Sequence, residues 1–363
     1  MKYSLIVPVF NRPDEVDELL ESLTRQTEKD FEVLIVEDGS EVRCEEVVRK
    51  YVGRLDVKYF EKSNSGPGQS RNYGAERSTG DFLIVLDSDV VLPEGYLEEV
   101  DWELKERPCD AFGGPDRAHE SFTPVQKAIN YSMTSFFTTG GIRGGKKKMD
   151  KFYPRSFNMG IRRDLYLQLG GFSNMRFGED IDFSIRIFRS GARCRLFPEA
   201  WVWHKRRTDF RKFFRQVHNS GIARINLYKK YPDSLKLVHL LPAAFVVGLI
   251  LLAVVFLTGA ALALMGYLAA HSSQGPGCNF GPLVMLLGAG LMALALLPVL
   301  LYALMIVGDS ACRNRSLRVA LLSVPASFIQ LTGYGTGFLR AWWLRCVCGR
   351  NEELQAFRKN FYK

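Results

Sequence analysis

Between Leu237 and Gly308 the chain has no aspartate, glutamate, lysine or arginine. Water-exposed surface shows charge every few residues, so this stretch excludes a chain that is soluble from end to end. A cysteine framework is missing as well. The seven cysteines (Cys44, Cys109, Cys194, Cys278, Cys312, Cys346 and Cys348) are odd in number and show no zinc spacing. Cys346 and Cys348 stand too close for a Cys-x-x-Cys pair, which leaves free thiols in a reducing compartment. Met1-Lys2-Tyr3-Ser4-Leu5-Ile6-Val7-Pro8-Val9-Phe10 is too short an apolar run for a signal peptide and lacks a small-residue cleavage site. The first domain is therefore expected on the cytoplasmic side. Repeats and low-complexity tracts are also missing.

Charge is unevenly placed along the 363 residues. Residues 1–203 hold 29 Lys and Arg against 34 Asp and Glu. Residues 204–236 hold 10 against 2, and residues 309–363 hold 9 against 3. The net charge of +9 thus flanks the uncharged stretch, which reads as attraction to a membrane surface rather than a nucleic-acid footprint.

Two apolar segments, 238–269 and 281–308, exceed the roughly 20 residues needed to cross a bilayer. The loop between them, His271–Pro282, has no Lys or Arg, whereas 204–236 and 313–318 are basic. Positive flanks belong inside, so the loop is expected outside and the catalytic part in the cytoplasm of a multi-pass protein of the cell membrane. A third segment, 319–339, contains Pro325, Gln330, Thr332, Gly333, Gly335 and Gly337. It is expected to span or, by its weak apolarity and the basic tail at 341–363, to re-enter or lie at the interface. The expected division is a catalytic domain at 1–203, a basic juxtamembrane segment at 204–236, a membrane region at 237–340 and the tail.

The first 120 residues alternate apolar runs (Tyr3–Val9, Phe31–Val36, Val57–Phe60, Phe82–Leu86) with charged helical stretches (Pro13–Gln26, Arg43–Tyr51, Gln69–Arg77). That pattern predicts an α/β domain with a parallel sheet covered on both faces. Ligands of such sheets bind outside the carboxyl ends of the strands, where Asn11, Asp38, Asp87 and Asp89 fall. A helix is expected near Ile181–Ser190 and a strand near Cys194–Phe197. The run Gly140-Gly141-Ile142-Arg143-Gly144-Gly145-Lys146-Lys147-Lys148 reads as a mobile loop.

Phe82-Leu83-Ile84-Val85-Leu86-Asp87-Ser88-Asp89 is a strand running into two carboxylates. Positions i and i+2 share a face, so both side chains can reach one hard dication; otherwise they are solvated aspartates in a turn. Asn64-Ser65-Gly66-Pro67-Gly68-Gln69-Ser70-Arg71-Asn72 is a loop feeding a helix, where backbone approaches a ligand closely and Arg71 meets a phosphate or carboxylate. In Gly178-Glu179-Asp180-Ile181-Asp182, Asp180 is either a reactive carboxylate or one favoured by the helix dipole alone. Phe210, Phe213, Phe214 and Val217 form one stripe on a basic helix, suited to lie on anionic lipid or to pack on the catalytic domain.

Taken together, Ile6-Val7-Pro8-Val9-Phe10-Asn11, Val36-Glu37-Asp38-Gly39-Ser40, Gly68 with Ser70-Arg71-Asn72, Leu86-Asp87-Ser88-Asp89 and Gly178-Glu179-Asp180 resemble family 2 of the inverting glycosyltransferases, which have the GT-A fold. Asn158-Met159-Gly160 and Gly170-Gly171-Phe172 match the same pattern, and the likeness runs in order over residues 3–204. The resemblance implies a GT-A sheet, mixed or parallel, followed by a helical membrane region. Pro8 and Asp38 would contact the nucleotide base. Asp87 would hold ribose or share a metal, Asp89 would bind Mn²⁺ or Mg²⁺, and His204 would join the metal or diphosphate. Asn11, Arg71, Asn158 and Glu179 would belong to the substrate site, with Asp180 as general base. The implied partners are a nucleotide-sugar donor (UDP-sugar by default), a glycan or lipid-linked acceptor and membrane lipid, with no nucleic acid. Glu37-Asp38 departs mildly from the family's usual Asp-Asp. Two rival readings are a nucleotidyltransferase of related fold, disfavoured by Asn11-Arg12-Pro13-Asp14 after the first strand, and an inactive nucleotide-sugar-binding protein.

Overall fold

A computed structural model describes residues 2–117, 122–139, 154–205, 209–271 and 280–354. The chain begins β1 (Tyr3–Val9), α1 (Pro13–Thr24), β2 (Phe31–Asp38), α2 (Glu45–Arg49), β3 (Val57–Lys62), α3 (Pro67–Arg77) and β4 (Phe82–Leu86). It continues with β5 (Val90–Val91), α4 (Tyr96–Glu106), β6 (Ala111–Gly113), β7 (Asp116–Arg117), α5 (Pro124–Thr134), α6 (Phe136–Thr139), β8 (Asn158–Arg162) and α7 (Arg163–Gln168). Then follow α8 (Glu179–Arg189), β9 (Cys194–Leu196), β10 (Val202–His204), α9 (Phe210–Lys230), α10 (Leu241–His271), α11 (Phe280–Asn314) and α12 (Leu317–Trp342). The Gly/Lys run at 140–148, most of the loop before α11, Arg206 and Arg207, and the tail from 355 lie outside the described residues.

The chain forms two compact units, one of Met1–Phe122, Lys146–Arg206 and Asn351–Lys363, the other of Thr123–Gly145 and Arg207–Arg350. A single boundary near residue 203 therefore gives way to an interleaved one. The reason is apolar burial: Ile129 and Met133 of α5 form a core with Phe213 and Val217 of α9. The stripe on α9 is thus spent inside the second unit, with Ile329 of α12 packed against it, and Phe214 is its exposed member.

In the first unit a seven-stranded sheet has the order β3-β2-β1-β4-β8-β6-β9. The four strands expected to run parallel do so, but β8 is antiparallel to both β4 and β6. The sheet is therefore mixed. Helices cover both faces, burying Val16, Leu19 and Leu23 on one and Phe172, Phe183 and Ile187 on the other. Gly160 in β8 lies under the ring of Phe112, where an added Cβ would meet ring carbon at 2.0 Å; only glycine lets that ring pack onto the strand. β2 extends to Asp38, so Glu37 and Asp38 are the last strand residues rather than the start of the loop.

In the second unit α10 and α11 are 31 and 35 residues long and apolar enough to cross a membrane by length and composition. α12 is one continuous helix of 26 residues. Ala320, Ala326 and Leu331 of α12 are buried, which explains its weaker apolarity: one helix surrounded by α5, α9, α10 and α11 has little face left for large side chains.

Glu32 on β2 is fully buried, accepting from Ser4 Oγ at 2.6 Å, from Thr79 Oγ1 at 2.9 Å and from Lys58 Nζ. Burial alone raises its pKa, but the Lys58, Ser4 and Thr79 hydrogen bonds win and bring it down to about 2. A depressed folded-state value stabilises above the unfolded value, and the contribution is lost as pH falls toward 2. Thermal unfolding should therefore drop between about pH 5 and pH 3, and Glu32→Gln should lower the melting temperature near neutrality while narrowing that drop. An unchanged drop in the variant would show that Glu32 is not a source of it.

Candidate active site

The carboxyl edge of the parallel strands is built from hydrogen bonds between loops. Asn11, just past β1, has a left-handed φ of 53°, which asparagine tolerates. Its Oδ1 accepts the N–H groups of Glu41 and Val42 at 2.8 and 2.9 Å, and its own N–H donates to Ser40 Oγ. Asn11 therefore clasps the turn after β2. Asp38, fully buried, accepts from Lys62 Nζ at 2.6 Å and from the N–H groups of Ser65 and Gly66 at 2.9 and 2.8 Å. Those bonds shape the loop that launches α3 and hence aim Arg71. Glu37 accepts from Cys44 N–H and Ser40 Oγ, bracing the same turn. Pro8 is buried in β1 opposite Val36.

Asp87 and Asp89 follow β4, and β5 begins one residue later. β10 runs antiparallel to β5 with His204 paired to Val90, which carries the imidazole to the aspartates. Ligand atoms of Asp87, Asp89 and His204 lie within 4.8 Å of one another. His204 Nε2 is 3.2 Å from Asp89 Oδ1, and Phe157 stacks on the imidazole with ring centroids 5.0 Å apart. Two carboxylates and an imidazole at this separation could hold a divalent cation. Arg12 Nη1 lies 2.6 Å from Asp89 Oδ2. Burial raises the Asp89 pKa, but His204 and then Arg12 outweigh it and hold the carboxyl well below the usual carboxylate range.

Arg71 is buried at 3% exposure and joins two parts of the site. Its Nη2 donates to Asp87 Oδ1 at 2.8 Å and its Nη1 to Glu179 Oε1 at 3.3 Å, and its guanidinium lies 5.0 Å from the Phe172 ring centroid. Gly178, with φ of 85°, turns the chain into α8 so that Glu179 and Asp180 open its first turn. Asp180 Oδ2 pairs with Arg155 Nε at 3.2 Å, and Oδ1 accepts the N–H of Ile181. Asp87 and Glu179, far apart in sequence, are thus joined by Arg71, and Asp38 shapes the loop that carries it.

Asn158 is fully buried, its Oδ1 accepting from Tyr96 Oη at 2.6 Å and its Nδ2 donating to Ala200 O at 2.8 Å. Its amide locks β8 to α4 and to the approach of β10. Arg12 and Arg155 were missed by sequence reasoning. Arg12 had a signal, since it follows Asn11 directly; Arg155 had none, because its pairing depends on where β8 is laid. A cavity of about 470 Å³ lined by Thr79, Asp81, Cys109 and Arg162 opens where β4 begins, at the edge opposite these carboxylates.

Comparison with known proteins bears on the family and the fold. Residues 4–170 match the family described as Glycosyl transferase family 2, and the chain carries a domain of that family. An uncharacterized glycosyltransferase of Haemophilus influenzae is 32% identical over 193 residues, covering 51% of this chain and 62% of that one. The poly(ribitol-phosphate) beta-N-acetylglucosaminyltransferase TarS of Staphylococcus aureus is 33% identical over 114 residues, covering 30% of this chain and 20% of TarS. The chain thus spans less than two thirds of the length of either relative. The mannosyltransferase PcManGT of Pyrobaculum calidifontis, solved in complex with GDP-Man and Mn2+, superposes with a TM-score of 0.53 at 16% identity, over 93% of this chain and 87% of that one. At that identity the likeness shows the fold, a mixed α/β sheet of GT-A type followed by C-terminal helices.

Burial, reinforced by the neighbouring charge of Asp180 and opposed by Arg71, pushes the Glu179 carboxyl up to about 7. A carboxyl raised on folding costs stability as pH climbs from its unfolded value near 4.5 to about 7. Glu179→Gln should therefore match the wild type at about pH 4 and melt higher at about pH 8, read by thermal unfolding without ligands. Equal melting at both pH values would remove the raised pKa.

Proposed function

We propose that the protein transfers a sugar from a nucleoside diphosphate sugar to a glycan or lipid-linked acceptor, with inversion at the anomeric carbon. The observation that carries this reading is the gathering of Asp87, Asp89 and His204 within 4.8 Å, with Arg71 tying Asp87 to Glu179 beside Asp180. A nucleotidyltransferase or an inactive binder has no need of all these groups together.

Asp38 and the backbone near Pro8 would face the base, with Asn11 holding that loop pair in register. Asp87, Asp89 and His204 would hold Mn²⁺ or Mg²⁺, which supplies Lewis-acid charge to the leaving diphosphate. The acceptor hydroxyl oxygen forms a bond to the anomeric carbon as the bond from that carbon to the phosphate oxygen breaks. The electron pair leaves on the nucleoside diphosphate, and the hydroxyl proton passes to Asp180, whose side chain is 16% exposed and so reachable. Arg71 keeps Asp87 and Glu179 fixed while charge redistributes, so the site does not reorganise during the reaction. UDP-sugars are the first donors to test. GDP-sugars stand beside them because PcManGT was solved with GDP-Man.

Membrane anchoring is part of the proposal. α10 and α11 leave large apolar side chains such as Leu257 and Leu286 about two-thirds exposed, surface that a bilayer would cover. The basic flanks support a cytoplasmic catalytic unit through the positive-inside rule.

Asp180→Asn should bind the donor nucleotide as the wild type does but lose about 10²–10⁴-fold in sugar transfer. Near wild-type turnover would take Asp180 out of the base role. Asp89→Ala, titrated with Mn²⁺ during donor turnover, should lose its metal response, and an unaltered titration would remove Asp89 from the ligand set.

A further inference from the structure

Arg12 is the charged residue for which the local chain offers no reason. It occupies the position before α1, its side chain caps nothing in that helix, and Pro13 follows at once. A cation at a helix amino terminus opposes the dipole, so α1 itself disfavours the guanidinium there. What holds it is Asp89, at 2.6 Å. Asn11, in its left-handed conformation and tied to Glu41 and Val42, turns the chain so that Arg12 points inward across the carboxyl edge rather than along it.

The contact has a consequence for the cation site. A guanidinium and a divalent cation on one carboxylate repel each other, so a cation bound at Asp89 weakens the hold of that carboxylate on Arg12 and favours its withdrawal. Its freedom to do so is visible: the side chain is 30% exposed, and among the described residues its one hydrogen bond is to Asp89. The rest of the guanidinium fork is then available to oxyanions. An arginine fork matches phosphate oxygens in geometry and charge, and the diphosphate of a nucleotide-sugar is the anion that accompanies the cation into this site.

We propose that Arg12 is the resident counter-cation of Asp89, which gives up that carboxylate to the divalent cation and then pairs with the donor's diphosphate. The inference rests on the metal-site reading above. Before donor arrives, Arg12 neutralises a buried carboxylate and weakens binding of the bare cation. Once cation and nucleotide arrive together, the same charge favours the complex. Arg12 thereby makes cation capture depend on the nucleotide.

The test uses the full-length protein in detergent, with free Mn²⁺ followed by electron paramagnetic resonance and UDP and GDP binding at saturating Mn²⁺ followed by calorimetry. Arg12→Gln should bind Mn²⁺ alone about tenfold more tightly and the nucleoside diphosphate about tenfold more weakly, the size of one charge-assisted hydrogen bond. A purely structural Arg12 would shift both constants the same way. The proposal is overturned if Arg12→Gln leaves either constant at the wild-type value or weakens Mn²⁺ binding. A wild type that takes up no Mn²⁺, with or without nucleotide, overturns the metal site and this proposal together. Should melting show Arg12→Gln to be unfolded, Arg12→Lys decides: a point charge without the fork should keep Mn²⁺ binding weak and lower diphosphate affinity several-fold, and an unchanged diphosphate affinity overturns the proposal.

Discussion

A buried guanidinium with no partner would leave an uncompensated charge costing about 3–5 kcal/mol, so Arg71 obliges the fold to bring carboxylates to it. It is met by Asp87 from the end of β4 and by Glu179 from the start of α8, and the ring of Phe172 closes over it. Residues 108 positions apart are thereby fixed at one point. Asp38 lies one step further back in the same chain of causes. By binding Lys62 and the N–H groups of Ser65 and Gly66, it sets the loop from which α3 and Arg71 depart. Arg71 thus couples Asp87, Glu179 and the loop set by Asp38, so the arrangement acts as one unit.

The second constraint is the reversal at the centre of the sheet. β1 to β4 run parallel and deliver their carboxyl ends to one edge, but β8 enters antiparallel beside β4. β8 therefore starts beside the end of β4, with Asn158 opposite Leu86, and Arg155, just before it, meets Asp180 at that same edge. β5 and β10 make a smaller antiparallel pair whose effect is to bring His204 against Asp89. The cation-binding geometry thus depends on two short strands as much as on the long parallel ones.

Helix packing in the second unit follows a different rule. α12 is surrounded, and glycine, alanine and serine recur among its buried positions beside Val319, Leu331 and Phe338. An added Cβ on Gly337 would sit 2.1 Å from the carbonyl oxygen of His218, which measures how closely α9 and α12 approach. Polar side chains there pair with one another: Ser310 with Ser323 at 2.7 Å, and Arg345 with Asn226 at 2.7 Å. Such pairs are favoured where the alternative is an unmatched polar group away from water. The apolar lengths of α10 and α11 instead leave most of their surface open.

Local patterning was enough to read the four parallel strands, the helices between them, the two long apolar helices and the acidic residues at strand ends, because each of these follows from short-range periodicity or from residue type. Asp87, Asp89 and His204 were legible as a set only through the order of motifs along the chain. The antiparallel course of β8, the burial of Asn158 and the use of the Phe213–Val217 stripe inside the second unit were not legible. Strand direction, burial and the choice of packing partner are settled by long-range contacts, which spacing along a sequence does not encode. Arg12 makes the same point most simply. The sequence determined that a cation follows the first strand, and only the tertiary structure decided that it faces Asp89, because a left-handed residue before it and a strand end 77 positions away had to meet in space.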